Sequence, residues 1–525
     1  MFDIIIKNGE ILSHNKESFL ADIGIIGDRI VRIGCLKQQA KLIIDAKGLY
    51  VSPGFIDMHS HDDFSIMNSK PFLAKVTQGV TTNVVGQCGF SRAPFNKKNH
   101  IFIKKRSSIF GGISDDEEFC WESYMRLLED SPLTTNVVLF AGHGNIRSMV
   151  MEVRERAASE QELKKMKKIL CNVMEQGAWG MSTGLIYSPC MFTPEQDITA
   201  LAEIIAKFGG IYASHIRGEG VGLLPAIEEV LRVGRKTDVS VEISHFKVTG
   251  MDNWRKTDDA LELVYRARKE GMNITYDQYP YTASSTTATV LLPQRMHEGG
   301  MVSLLERLQD KRERQEAKKD IQNGPVPGWE NYLYSCGADN VLIFQVDTEK
   351  NRRFEGKSFK QAAQELGKDT VDFLFDLLLE EKAAVNIVAF SMCEDSVKKI
   401  MKSNYGFIGS DGIPGRRPHP RLWGTFPRVL KKYVREEKII SMNEAIYKMS
   451  KGPAEKLGLK NRGEIKQGNI ADIVIFNPDK VEDCATYQHP SRKAAGIEYV
   501  IVNGKRIINK GEFTGETSGK VLRKV

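Results

Sequence analysis

Pro53-Gly-Phe-Ile-Asp-Met-His-Ser-His61 joins a Pro-Gly turn to a short strand that finishes on two histidines, His59 and His61. Residues i and i+2 of a strand share a face, so both imidazoles point the same way at its carboxyl end. The same design recurs along the chain. Candidate strands are Gly54–His59, Thr82–Cys88, Asn136–His143, Gly180–Leu185, Gly210–His215, Val239–His245, Asn273–Tyr279 and Gly406–Asp411. Amphipathic stretches such as Gln161–Gln176, Pro194–Phe208 and Thr257–Glu270 lie between several of them. Eight strands alternating with helices predict an α/β fold closed as a parallel (β/α)8 barrel.

Outward from the barrel, both ends of the chain read as β-structure. Asp3–Lys7, Asp22–Ile26, Ile30–Ile33 and Leu42–Asp45 alternate with turn signals, and Ala471–Phe476, Tyr499–Gly504 and Lys505–Ile508 repeat the pattern near the other end. The expectation is a small β-sandwich made of residues 1–53 and 451–525, flanking a barrel over residues 54–450. The interval between strands seven and eight is too long for one crossover. It predicts an inserted module at about 290–355, and long inserts at this end of a barrel cover the active site.

Composition narrows the function. Of 525 residues, 41% are hydrophobic and 27% charged, as in an ordinary globular protein. The net charge of +7 comes from 74 basic and 67 acidic residues spread thinly, which argues against a nucleic-acid partner. No apolar run is long enough to span a bilayer, and the start Met-Phe-Asp-Ile-Ile-Ile-Lys lacks the pattern of a secretory signal. The eight cysteines show no disulfide framework, so a reducing cytoplasm is expected.

Strand one ends on His59 and His61, strands five and six on His215 and His245, and strand eight on Asp411. Catalytic groups of this fold sit at those carboxyl ends, so four of ten histidines and an aspartate converge on one mouth. That set predicts a metal site. Cys88, at the end of strand two, reads by itself as a small buried side chain, although a thiolate there would suit zinc.

These residues carry a resemblance to the amidohydrolase superfamily, and within it to the D-aminoacylase (N-acyl-D-amino-acid deacylase) family. Matching stretches include Pro53–His61, Gln78-Gly-Val-Thr-Thr-Asn-Val-Val-Gly-Gln-Cys-Gly-Phe-Ser91, Ser182–Tyr187, His215-Ile-Arg-Gly-Glu219, Ser244-His-Phe-Lys247, Gly409-Ser-Asp-Gly412, His419–Arg428 and the closing Gly519–Arg523. Strand four, Trp179-Gly-Met-Ser-Thr-Gly-Leu, offers no lysine to carry the carboxylated bridge of the hydantoinase branch. The resemblance implies a tightly held Zn2+ on Cys88, His215 and His245, with a second, weaker position on His59, His61 and Asp411. It also implies a small-molecule substrate, an N-acylated D-amino acid, split into a carboxylate and a free amine. Chirality, the acyl group, the number of working metals and the oligomeric state are left open by the sequence. The rivals are another amidohydrolase acting on cyclic amides or dipeptides, and a non-catalytic barrel scaffold.

Asp411 is the expected general base, taking a proton from water and passing it to the leaving amine. Arg421, in the family's His-Pro-Arg motif, is expected to grip the substrate carboxylate, with Lys247 sharing the strand face of His245. Tyr281, Ser285 and Tyr187 are further candidates for the pocket. Where the family often carries Pro-Pro-Trp, this chain has Leu291-Leu-Pro-Gln-Arg295-Met-His297. Arg295 there would favour an acidic side chain, such as that of N-acyl-D-glutamate or N-acyl-D-aspartate.

Overall fold

The computed structural model describes residues 1–13, 17–67, 71–97, 99 and 119–524. Its centre is the barrel: Phe55–Asp57, Val80–Val85, Asn136–Leu139 continued by Ala141–Gly142, Gly180–Gly184, Ile211–His215, Ser240–Ile243, Ile274–Gln278 and Gly406–Ile408, called strands one to eight below. Neighbours pair in parallel in that order. The ring closes between strands eight and one, where Ser60 bridges Gly412 and the Asp411 amide donates to the His59 carbonyl at 2.7 Å. Every residue of strands two, four, five and seven is buried, because helices cover the outside of the ring while side chains fill its inside.

The helices follow from their sequence patterns. Glu160–Glu175 starts in a capping box between Ser159 and Glu162 and buries Met166, Leu170, Val173 and Met174 along one stripe. Leu223–Thr237 and Thr257–Lys269 show the same amphipathic design. No helix among the described residues is long and apolar enough to cross a membrane.

Both chain ends enter one nine-stranded sheet of the flanking β-sandwich. Tyr50–Pro53 pairs antiparallel with Ile473–Phe476 in the register Val51↔Ile475, and their side chains share a core with Ile6, Ile23 and Ile44. The last segment then leaves the sandwich. Val521–Leu522 pairs in parallel with Val137 and Val138 of strand three, and the Trp179 indole donates to the Leu522 carbonyl at 2.6 Å.

The inserted unit is wider than the interval 290–355. Its three-stranded sheet begins with Ser284–Thr287 and returns through Val341–Val346 and Val385–Ala389, pairing antiparallel. Helices between these strands close a separate core that includes Leu292, Leu304, Phe359, Leu374 and Leu378. Ser284–Thr287 carries four hydroxyl residues and no apolar alternation, so only its pairing with Asn386–Ala389 marks it as a strand.

Candidate metal centre

Six side chains from five strand ends meet around Cys88. Its Sγ lies 3.4 Å from His59 Nε2, 3.6 Å from His215 Nδ1 and 3.3 Å from His245 Nε2. Asp411 Oδ1 lies 3.1 Å from His61 Nε2 and 3.5 Å from His59 Nε2. All six residues are buried. Their donor atoms form two groups, His59–His61–Cys88–Asp411 and Cys88–His215–His245, each within 4.8 Å of one another. The thiol thus belongs to both groups, where the sequence reading had assigned it to one.

The backbone turns sharply to achieve this. Cys88, His245 and Asp411 all adopt positive φ, at 53°, 38° and 47°. Each position costs a non-glycine residue on the order of 1–3 kcal/mol, a strain tolerated where the surroundings fix the conformation. Here the fixing bonds are visible: the His245 amide donates to Asp277 Oδ1 at 2.9 Å and the Asp411 amide to His59 at 2.7 Å. Strand four makes room for the turn at Cys88, since a Cβ on Gly184 would sit 2.2 Å from the Cys88 carbonyl oxygen.

A second layer orients the first. His59 Nδ1 faces Asp277 Oδ2 at 3.3 Å, which leaves Nε2 for the thiol side. Glu219 Oε1 stands 3.2 Å from His245 Nδ1, 3.6 Å from His215 Nε2 and 2.6 Å from Lys247 Nζ. Beneath His59 and Asp411 runs a fully buried network. Lys75 Nζ donates to Asp57 Oδ2 at 2.7 Å and to the Ser410 hydroxyl, while Asp57 Oδ1 accepts the Ser410 amide at 2.7 Å.

Electrostatics favour a cation at this point. Burial pushes the Cys88 thiol up, but the imidazoles of His245, His59 and His215 hold it well below its ordinary value. Burial likewise opposes charge on His61, yet Asp411 and Cys88 raise it to about 9. Without a metal, protons are the cations that this anionic cluster attracts. A thiolate, imidazoles and a carboxylate, oriented by outer partners, are the donors zinc takes, so the residues present fit it.

Above the cluster opens a cavity. Among the expected residues, Lys247, Ser285 and Tyr187 line it. The Tyr187 ring lies 5.2 Å from that of His215, and its hydroxyl is 3.1 Å from that of Thr286. Three other residues stand elsewhere. Arg421 is fully buried, does not line the cavity, and holds Asp411 Oδ2 at 2.9 Å. Tyr281 turns away to the Arg428 guanidinium, 4.7 Å from its ring, and Tyr279 lines the cavity in its place. Arg295 lies on the insert, bound to Glu313 at 2.7 Å and Asp320 at 2.9 Å, and is absent from the lining. Opposite charges within its own helical unit satisfy it, so it is withdrawn as a determinant of acidic substrates.

Residues whose roles the sequence reading did not assign are Asp277, Glu219, Lys75, Tyr279 and Tyr332. Asp277 had the clearest signal, as a carboxylate near the end of strand seven in a barrel already rich in ligands.

A barrel with a Cys/His/Asp cluster at its carboxyl end and a flanking sandwich defines a metal-dependent hydrolase. Residues 42–508 match the model of the Amidohydrolase family, and the chain belongs to that family. It is 34% identical to D-aminoacylase of Alcaligenes xylosoxydans xylosoxydans, covering 99% of this chain and 97% of that one. It is 33% identical to N-acyl-D-glutamate deacylase of the same organism, over 99% and 96% of the two chains. The crystal structure of N-acyl-D-glutamate deacylase from Bordetella bronchiseptica, complexed with zinc and a phosphonate mimic of the tetrahedral intermediate, superposes with a TM-score of 0.83. It is 32% identical, and 99% of each chain is covered.

Proposed function

We propose that the protein hydrolyses the amide bond of N-acyl-D-amino acids, releasing a carboxylic acid and the free D-amino acid. The observation that carries this reading is the meeting, in one cavity, of the zinc-type cluster, the Asp411 carboxylate and the Lys247 ammonium. A linear N-acyl amino acid presents matching parts: an amide carbonyl, a nitrogen that must leave protonated, and an α-carboxylate. The full-length likeness to enzymes named for this chemistry supports it.

Zinc, held by Cys88, His215 and His245, with a second position on His59, His61 and Asp411, would supply Lewis-acid activation of the carbonyl and of the attacking water. Asp411 takes the proton from water. Arg421 occupies Oδ2 at 2.9 Å, so Oδ1, on the side of His61, faces the reaction. The same carboxyl then protonates the leaving nitrogen. Lys247 binds the α-carboxylate: its ammonium has three N–H donors, and Glu219 Oε1 and His245 Nδ1, each at 2.6 Å, leave one for it. Ser285, Tyr279 and Tyr187 complete the polar wall of the cavity.

The deciding measurement is amine release by the zinc-loaded protein from matched N-acetyl-D- and N-acetyl-L-amino acids, with glutamate, aspartate, methionine and leucine side chains. Turnover confined to the D series is expected. Turnover of L or cyclic amides instead would overturn the substrate and leave the hydrolase.

A further inference from the structure

Glu219 is the carboxylate that three site residues share, reaching Lys247 Nζ at 2.6 Å, His245 Nδ1 at 3.2 Å and His215 Nε2 at 3.6 Å. A group that aligns others must itself be held. Yet Glu219 lies between Gly218 and Gly220, past strand five, in a loop without helix or strand. Glycine carries more backbone freedom than any other residue, so nothing local fixes this carboxylate. Barrel groups hold one side of the loop: the Glu219 carbonyl accepts the Thr249 amide at 2.8 Å, and Lys256 Nζ donates to the Gly220 carbonyl at 3.1 Å.

The other side is held by the insert. Glu330 Oε1 accepts the Glu219 amide at 2.6 Å, and Oε2 accepts the Thr249 hydroxyl at 3.3 Å. One carboxyl thus grips the loops that follow strands five and six. Gly220 permits the approach, because a Cβ there would overlap Glu330 Oε2. Glu330 is anchored in turn by its neighbours. The Trp329 indole donates to the Val290 carbonyl at 3.0 Å, and the Asn331 side-chain amide to the Ile321 carbonyl at 2.7 Å. Tyr332, next in the same segment, lines the active-site cavity. Glu330 is buried, and apolar side chains would dock an insert without the cost of desolvating a carboxyl. Its hydrogen bonds to two loops of the site point to a positional demand.

We propose that Glu330 is a positioning residue of the substrate site: by anchoring the Glu219 backbone from the insert, it sets where Lys247 presents its remaining N–H. The proposal rests on the deacylase reading for the group that Lys247 binds, the α-carboxylate, but the anchoring is testable without turnover. Binding of that carboxylate is made alike in the ground and transition states, so its loss falls on KM and spares kcat.

Two measurements test it. In the first, steady-state kinetics of the zinc-loaded protein compare wild type, Glu330→Ala and Glu330→Gln on one N-acetyl-D-amino acid. Glu330→Ala should raise KM at least about fivefold with kcat within about twofold, as expected when a hydrogen bond to a charged group is weakened uniformly. Glu330→Gln keeps an acceptor for the Glu219 amide and should recover most of the loss. In a Lys247→Met background Glu330→Ala should add little, because the group it positions is gone. In the second, hydrogen exchange follows the Thr249 amide, whose acceptor is the Glu219 carbonyl. Exchange should quicken in Glu330→Ala and return towards the wild-type rate in Glu330→Gln. If Glu330→Ala does not fold, Thr249→Val, which takes the hydroxyl from Glu330 Oε2, should give a smaller rise in KM. An unchanged KM, a loss confined to kcat, or additive effects of Lys247→Met and Glu330→Ala overturn the proposal, as does unchanged exchange. Quickened exchange, without turnover of any N-acyl-D-amino acid by the wild type, would sustain the anchoring and overturn the deacylase reading.

Discussion

Arg421 Nη2 stands 2.9 Å from Asp411 Oδ2, and the guanidinium has no exposed surface. Burial alone would push the Asp411 carboxyl up, but the Arg421 charge, followed by His245 and the His61 hydrogen bond, holds it well below the usual carboxylate range. Arg421 therefore orients Asp411 through Nη2, while its buried Nε and Nη1 have no hydrogen-bond partner. Breaking a buried pair by removing one partner costs about 3–5 kcal/mol. Arg421→Met should lose about that much stability in urea denaturation, and kcat should fall. A raised KM with unchanged kcat and stability would point to a carboxylate-gripping role instead.

Asp411→Asn should lower kcat by about 10²–10⁴-fold, the usual worth of a positioned acid–base group, while leaving the circular dichroism spectrum unchanged. Wild-type-like turnover in this variant would remove Asp411 from the proton-transfer role.

Cys88 joins both donor groups, so its loss should weaken metal binding more than the loss of an outer partner. Cys88→Ala should reduce zinc affinity by at least about 10–100-fold, measured by equilibrium dialysis with elemental analysis. A chelator should abolish the wild-type activity, and zinc should restore it. Full zinc content in the variant would show that the histidines suffice.

Arg295→Leu breaks pairs with Glu313 and Asp320 that are partly exposed, so a stability change of about 0–1 kcal/mol is expected. Its kcat/KM should move equally for N-acyl-D-glutamate and N-acyl-D-methionine. A selective loss on the acidic substrate would return Arg295 to the site.

Glu330 is pushed up from 4.5 to about 7 by burial, with the Glu219 charge adding to the rise and the Glu219 and Gly220 amides opposing it. A carboxyl raised on folding favours the native state while protonated. Its contribution is intact below about 4.5 and is lost as pH rises through about 7. Glu330→Gln cannot ionise, so its melting temperature should gain on the wild type as pH rises from 5 to 8. A difference between the two proteins that does not change with pH would rule out this titration.

Several relationships were out of reach of linear reasoning. Tyr279 and Tyr281 sit two apart beyond Gln278, where strand seven has ended and strict alternation no longer assigns faces. Tyr279 meets the Arg421 guanidinium, 4.5 Å from its ring centroid, while Tyr281 meets Arg428. The partner of a long cationic side chain depends on distances between segments hundreds of residues apart, as with Lys75 and Ser410.

By itself the sequence determined the eight barrel strands, the β-rich ends and the six ligand candidates. Strand periodicity, Pro-Gly turns and the position of donors at strand termini are local properties, and they survive without knowledge of neighbours. Only the tertiary structure decided that Cys88 touches both ligand groups, that Arg421 serves Asp411, and that the insert brings Tyr332 over the cavity. The first and the last are contacts between distant segments, and the second depends on how the loop after strand eight folds back. They are fixed by the closing of the ring between Ser60 and Gly412 and by the docking of Glu330 on the Glu219 amide, which no periodicity in the chain encodes.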